Sequence, residues 1–266
     1  MQRKKNIKML LAVFIPLILI TCCILFYIWN TYYNKSNLLK KYIVDNSREV
    51  YILGTAGKKH FNRIYNYSME DILSAIENVN PDIVLLTAGE ENYKNFGIID
   101  GDIDICVSYS YCFDNNIPVK FIDWCIVDNS SQEDIAADLR DDNIFIKISR
   151  ILRELSSDKR IMIITGGKHF YEQAARFDID GYKKEELINT RDYFKNNKEN
   201  FSYPSLASKI WKDRTYFYAF IFPRLLQENN ELFDSVKSKY IDADHDKFYV
   251  KQIEYCKFLN NNILYK

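Results

Sequence analysis

Short apolar runs alternate with amphipathic stretches along most of the chain, and this alternation restricts the fold more than any other feature of the sequence. Each run is followed within a few residues by glycine or aspartate, as expected where a strand ends. Strands without a polar face are typical of a parallel sheet that helices cover on both faces. The sequence therefore predicts an α/β fold with a mainly parallel sheet. The four runs are residues 49–55, 83–86, 119–122 and 160–165.

The stretches between these runs predict the helices. Ser68 is a plausible N-cap, and Asp71 stands in the capping-box position of the helix that follows it. Further helices are predicted over residues 104–114 and from about 131 to 155. From Phe201 onwards the chain is rich in aromatic residues and mostly helical in pattern, which predicts a helical C-terminal layer packed on the sheet domain.

An uncharged apolar stretch, residues 9–29 (MLLAVFIPLILITCCILFYIW), precedes this domain. At about 1.5 Å per residue a helix of this length crosses the ~30 Å of bilayer hydrocarbon. A cleaved signal peptide would have a shorter apolar region followed by small residues, whereas Phe26, Tyr27, Ile28 and Trp29 follow here. An uncleaved transmembrane anchor is therefore favoured.

The charges flanking this stretch predict its orientation. Four basic residues crowd the short N-terminal tail, whereas those beyond the stretch lie further from it, so the tail should stay in the cytoplasm with the domain outside. We therefore expect a single-pass protein of the cell membrane. Its predicted parts are a cytoplasmic tail (1–8), a transmembrane anchor (9–29), a linker (30–46) and one α/β domain (47–266).

Overall charge and cysteine usage exclude some functions. The chain has 36 basic and 36 acidic residues and no long basic run in the domain, so we expect no nucleic-acid partner. Cys106, Cys112, Cys125 and Cys256 show neither CxxC nor zinc-finger spacing. They are expected to be buried free thiols, although one disulfide stays open if the domain is extracellular. The sequence does not indicate an oligomeric state.

Two of the three histidines share a local sequence. Gly57 to Phe61 (GKKHF) and Gly166 to Phe170 (GGKHF) each follow a predicted buried strand, which places His60 and His169 at the carboxyl edge of the sheet. A fold with two related halves would bring them face to face. Two imidazoles at short distance suit a divalent metal ion or a general acid–base pair. The alternative is a pair of half-buried histidines with purely structural hydrogen bonds.

Carboxylates after other strands are candidates to complete this site. Glu90 and Glu91 follow the second run, and Asp123 ends the third. Two histidines and one carboxylate leave a metal position open for water, as in catalytic sites. We therefore predict His60, His169 and Glu90 as ligands of Mn, Co or Zn, and Glu90, Glu91 and Asp123 as catalytic candidates. Alternatively, the glutamates are solvated loop charges and Asp123 caps a turn.

The order of these motifs resembles the TraB/PrgY/GumN family, relatives of the Tiki metalloproteases in a superfamily with ChaN-like and erythromycin-esterase-like proteins. The resemblance covers residues 50–170. It implies two related halves and a metal-dependent, peptidase-like site of two histidines and a glutamate, and some family members shut down peptide pheromones. The motifs are the first G-x-x-H (Gly57, His60), the PD-strand at 81–86, IPVKFIDW at 117–124, the pair Arg140 and Asn143, and the second G-x-x-H (Gly166, His169).

One departure bears on the site: Thr87 stands where the family has its glutamate, so Glu90 or Glu91 takes that role in the prediction. Together with the predicted anchor, the resemblance implies a membrane-anchored metal-dependent hydrolase, a peptidase acting on small peptides such as pheromones or signals. One alternative is a catalytically degenerate protein of the same fold that binds a peptide or a haem-like ligand. Another is a structural partner within a membrane complex.

Overall fold

Six strands form a single sheet in the computed structural model, which describes residues 14–26, 35–45, 47–62, 65–123, 134–194 and 203–221. In chain order the strands are β1 (Leu39–Val44), β2 (Arg48–Thr55), β3 (Ile83–Gly89), β4 (Val119–Asp123), β5 (Ile161–Gly166) and β6 (Lys183–Glu185). Their order across the sheet is β4-β3-β5-β2-β1-β6.

Four neighbouring strands, β4, β3, β5 and β2, run parallel, while β1 is antiparallel to both β2 and β6. Thr55 is the register partner of Gly166, and Gly89 that of Asp123. The carboxyl ends of the four parallel strands therefore meet at one edge, called the carboxyl edge below. The predicted α/β fold with a mainly parallel sheet is confirmed.

The α-helices of the described residues are α1 (residues 14–26), α2 (Met69–Val79), α3 (Glu90–Phe96), α4 (Ile103–Asp114), α5 (Asp134–Glu154), α6 (Gly167–Ile179) and α7 (Ala207–Tyr216). Two groups of them pack together. α4 contacts α2 and α7, whereas α5 contacts α6. From β2 the chain crosses the sheet to β3 and then to β4 at its edge, and it then crosses back in the opposite direction to β5. Right-handed crossovers then place α2 and α4 on one face and α5 on the other.

Local sequence explains where these elements begin and end. The Ser68 amide donates to the Asp71 carboxylate over 2.8 Å, so the predicted capping box opens α2, and Asn80 ends it in the left-handed conformation with φ of 48°. The buried Arg48 guanidinium donates to the carbonyls of Leu152 and Leu155 at the end of α5. These contacts satisfy carbonyls that a helix end leaves without partners.

The sheet includes residues that the sequence analysis assigned to a linker. β1 lies within the predicted linker 30–46, pairs with strands on both sides, and buries Leu39, Tyr42 and Val44. β1 was not predicted because Lys40 and Lys41 interrupt the apolar pattern that is typical of a buried strand. Lys41 pairs with Glu49 at 2.5 Å and Glu185 at 2.9 Å across the neighbouring strands, which compensates its charge.

Part of the predicted anchor is helical. Residues 14–26 form α1, and its large apolar side chains are exposed. Within the described ranges, no helix is long and apolar enough to cross a membrane. Residues 9–13 and 27–29 lie outside those ranges, so the anchor stays a prediction. Cys106 and Cys112 are buried free thiols as expected, whereas Cys125 and Cys256 lie outside the described residues.

Candidate functional site

The carboxyl edge carries both histidines of the repeated motif. His60 lies in a short 3-10 turn, Gly57–Phe61, that follows β2, and His169 lies in the first turn of α6, directly after β5. Since β2 and β5 are neighbours in the sheet, the two motifs start side by side. Their side chains, however, make hydrogen bonds to different parts of the fold.

His60 has both ring nitrogens engaged in short local hydrogen bonds. The Ala56 amide donates to Nε2 over 2.8 Å, and Nδ1 lies 2.9 Å from the Tyr67 carbonyl. A carbonyl can only accept, so the proton sits on Nδ1 and Nε2 acts as the acceptor. The ring is also packed edge-on against Tyr67, with centroids 4.5 Å apart. His60 therefore closes the turn after β2.

A buried carboxylate supports the same turn. Asp104 Oδ2 accepts the Gly57 amide at 2.8 Å and lies 3.5 Å from His60 Nε2. Gly57 has φ of 54°, and a Cβ there would collide with the Asp102 carboxylate. The backbone conformation therefore favours glycine at this position.

His169 has a different environment, in which one ring nitrogen contacts a buried carboxylate. Its Nδ1 lies 2.8 Å from Asp141 Oδ1 on α5, so the Nδ1 proton is donated to that oxygen. The Asp141 side chain is only 1% exposed, while that of His169 is 17% exposed. Gln173, one turn further along α6, also donates to Asp141 Oδ1, at 2.9 Å. A buried carboxylate therefore orients a partly exposed imidazole.

This Asp141–His169 pair has two chemical uses. With Nδ1–H held by the carboxylate, the lone pair of the imidazole is on Nε2, where it can accept a proton as a general base. The same arrangement, a carboxylate behind the distal nitrogen, is common for histidines that ligate metal ions. The Cδ2 side of the ring, next to Nε2, lies over Gly166 at the end of β5.

The predicted carboxylates Glu90 and Asp123 are held by cations. Glu90 begins α3 and pairs with Lys94 at 2.5 Å and Lys147 at 3.2 Å, and these contacts lower its pKa below the usual value. Asp123 accepts two donor nitrogens of Arg140, and the Lys147 ammonium donates to its backbone carbonyl. Both carboxylates are therefore anchored to α5.

The predicted metal ligands have separate partners in this structure. His60 Nε2 accepts an amide, Glu90 is paired with lysines, and His169 alone of the three has the arrangement of a ligand with a supporting carboxylate. Among the described residues, no group of three or more His, Cys, Asp and Glu side chains is placed to hold a metal ion. The Glu91 side chain lies outside the described residues. A shared divalent ion stays a prediction.

Sequence reasoning missed three buried aspartates at this edge: Asp100, Asp104 and Asp141. Asp100 accepts the Gly89 amide at 2.5 Å and the Asn92 amide at 2.7 Å, and burial raises its pKa to about 7. The sequence does contain a pattern that indicates a buried Asp141. This residue lies three and seven positions before Ile144 and Ile148, and so on the buried face of α5. An aspartate on an apolar helix face needs an internal partner.

A separate polar depression lies away from this edge. It has a volume of about 450 Å³ and lies between β1, β6 and the start of β2, where Lys41, Glu49 and Glu185 contribute to its walls. These side chains pair with one another, so their charges are already compensated. For this reason we place the candidate site at the carboxyl edge.

Comparison of the chain with protein-family models, curated proteins and solved structures gives no match. The resemblance to the TraB/PrgY/GumN family therefore rests on the sequence motifs alone.

Proposed function

We propose that this chain is a hydrolase whose reaction takes place at the carboxyl edge of the sheet. The observation that supports this proposal is the 2.8 Å contact between the buried Asp141 carboxylate and Nδ1 of the partly exposed His169. In the proposal His169 is the general base, and Asp141 is the residue that positions it.

The chemistry follows from the lone pair on His169 Nε2. As a water oxygen bonds to the scissile carbonyl carbon, Nε2 takes one of the water protons. The proton then passes to the leaving amine nitrogen while the C–N bond breaks. Asp141 keeps the ring in the required tautomer and stabilises the imidazolium that forms between the two steps, as carboxylates do in hydrolase triads.

The substrate class and the metal come from the resemblance. We propose small peptides as substrates and Mn, Co or Zn as the metal ion, which when bound would polarise the carbonyl and lower the pKa of its water. His169, backed by Asp141, fits as a ligand through Nε2. Because that nitrogen has a single lone pair, His169 acts as the base only when it does not ligate the ion. His60 and Glu90 would first have to release the Ala56 amide and the two lysines. The proton steps above therefore involve His169 and Asp141 only.

We also propose that the domain is anchored to the cell membrane with its N-terminus in the cytoplasm. The basic tail and the uncharged apolar stretch 9–29 support this placement. A site on the outer side would meet extracellular peptides.

A second candidate function is ligand binding without turnover. The occupied nitrogens of His60 and the paired carboxylate of Glu90 favour it, because both residues make structural contacts in place of catalytic ones. In that case the same edge would bind a peptide or a haem-like ligand through His169.

The test is peptide cleavage by the purified full-length protein with Mn²⁺, Co²⁺, Zn²⁺ or a chelator, read by mass spectrometry of a diverse peptide library. Asp141→Asn should reduce cleavage by on the order of 10²-fold or more, because it removes the carboxylate that fixes the tautomer of the base, His169. Asp142→Asn is the matched control, since Asp142 is the next residue, is exposed and pairs with Arg176. Equal activity of both variants would place the chemistry elsewhere, and binding without cleavage would favour the second function.

A further inference from the structure

Three buried polar atoms on β5, α5 and α6 have no hydrogen-bond partner within the described residues. They are Oδ2 of Asp141, Oε1 of Gln173 and Oγ1 of Thr165. All three residues are fully inaccessible to solvent. Since buried polar groups are nearly always hydrogen-bonded, each of these atoms calls for a partner.

The residues that carry these atoms lie on elements that contact one another, α5 with α6 and α6 with β5. Gln173 Nε2 contacts both the Asp141 carboxylate, at 2.9 Å, and the Asp141 carbonyl, at 3.0 Å, so these two side chains are in direct contact. Thr165 is the register partner of Gly54, and a Cβ on Gly54 would lie 2.9 Å from Phe170 of α6. Register partners point to the same face of a sheet, so Thr165 also points towards α6.

The hydrogen-bonding needs of these atoms match one water molecule. Two of them, the carboxylate and amide oxygens, can only accept, and the third belongs to a hydroxyl that can donate. A water donates twice and accepts once to satisfy all three, and about three hydrogen bonds are usual for a buried water. A structural zinc or a calcium ion needs at least four ligands, more than this cluster offers.

We infer that Asp141, Gln173 and Thr165 bind a single buried water molecule, and that this water fixes the Asp141 carboxylate behind His169. Oδ2 is held by the water and Oδ1 by Gln173, so the carboxylate cannot rotate away from the imidazole. Thr165 and Gln173 are then positioning residues. Their catalytic meaning rests on the proposed hydrolase function, but the water site itself does not.

The sign of a stability change tests the water site. Thr165→Val replaces the hydroxyl with a methyl of similar size. If the water is bound, the variant removes one of its three hydrogen bonds, and the midpoint of thermal unfolding of the full-length protein should fall by roughly 2–4 °C. If the hydroxyl has no partner, its removal should raise the midpoint. Ser149→Ala is the control, because Ser149 Oγ on α5 is also buried without a partner in the described chain.

The tautomer of His169 tests the positioning role without any need for activity. In the wild-type protein, ¹⁵N NMR of the imidazole should show the Nδ1–H form. Thr165→Val and Gln173→Met should each raise the population of the Nε2–H tautomer of His169 at least about twofold. A midpoint that rises in Thr165→Val as in the serine control would overturn the water site, and an unchanged tautomer in both variants would overturn the positioning role. Failure to cleave peptides would affect neither result.

Discussion

Truncation of His60 is expected to destabilise the fold, because its ring closes the turn after β2. His60→Ala removes the acceptor of the Ala56 amide and the donor to the Tyr67 carbonyl, and the His60 side chain is fully buried. Leaving a buried backbone group without a partner costs about 1–3 kcal/mol. Loss of the edge-on contact with the Tyr67 ring adds about 0.5–1.5 kcal/mol.

With two backbone groups left unpaired, these contributions amount to about 2.5–7.5 kcal/mol, a large part of the 5–15 kcal/mol that stabilises a typical domain. His169→Ala should cost less, about 1.5–3 kcal/mol, because it loses one hydrogen bond to a carboxylate from a partly exposed side chain. His60→Gln keeps an acceptor for the Ala56 amide and should fall between wild type and His60→Ala.

The assay is urea unfolding of the full-length protein followed by tryptophan fluorescence, since Trp211 is fully buried. The midpoint gives the change in free energy if the slope with denaturant stays constant. A His60→Ala variant within about 1 kcal/mol of wild type would refute the structural role. Loss of bound metal in that same stable variant would instead identify His60 as a ligand.

Three further predictions concern a buried aspartate, a glycine in a turn and the membrane topology. Burial raises the pKa of Asp100 to about 7. The folded state therefore keeps a proton between about pH 4 and pH 7 that the unfolded state has lost, and the Asp100 contribution to stability falls by about 4 kcal/mol over that window. Asp100→Asn should flatten this dependence in thermal unfolding at pH 5 and pH 8, and a slope equal to that of wild type would contradict it. Gly57→Ala should lower the unfolding free energy by about 1–3 kcal/mol, measured by urea unfolding, because of its positive φ and the collision with Asp102. A protease-accessible tag at Lys266 should be cleaved on intact cells, and its protection would reject the proposed topology.

The parallel part of the sheet was predictable because burial on both faces leaves a direct signal in the sequence. All seven residues of β3 are buried, so the strand has no polar face. β1 was missed because its charge is balanced from outside the strand, by Glu49 and Glu185 on its neighbours. A single sequence shows the lysine but not the partner that compensates it.

The positions of the two histidines after neighbouring strands were predictable, but their contacts were not. The shared G-x-K-H-F sequence places both histidines after neighbouring strands, because the strand exits are local features. Their roles differ since the partners of His60 lie four and seven residues away, at Ala56 and Tyr67, whereas the partner of His169 lies 28 residues away, at Asp141. A shared local sequence cannot encode a contact that the packing of α5 on α6 provides.

This difference makes the two histidines unequal as metal ligands. An ion on His60 Nε2 would have to displace the Ala56 amide and so open the turn, whereas an ion on His169 Nε2 would keep the supporting bond to Asp141. We therefore predict that His169→Ala lowers the affinity for Mn²⁺, Co²⁺ or Zn²⁺ at least about tenfold. Loss of a residue that only supports a ligand already costs about that much, and loss of the ligand should cost no less. His60→Gln should change the metal affinity less than about twofold, because in this prediction His60 makes no bond to the ion. Calorimetric titration measures both affinities, and hydrogen exchange of the Ala56 amide gives an independent check. Faster exchange of that amide on metal addition would show that His60 binds the ion, and would reverse the assignment.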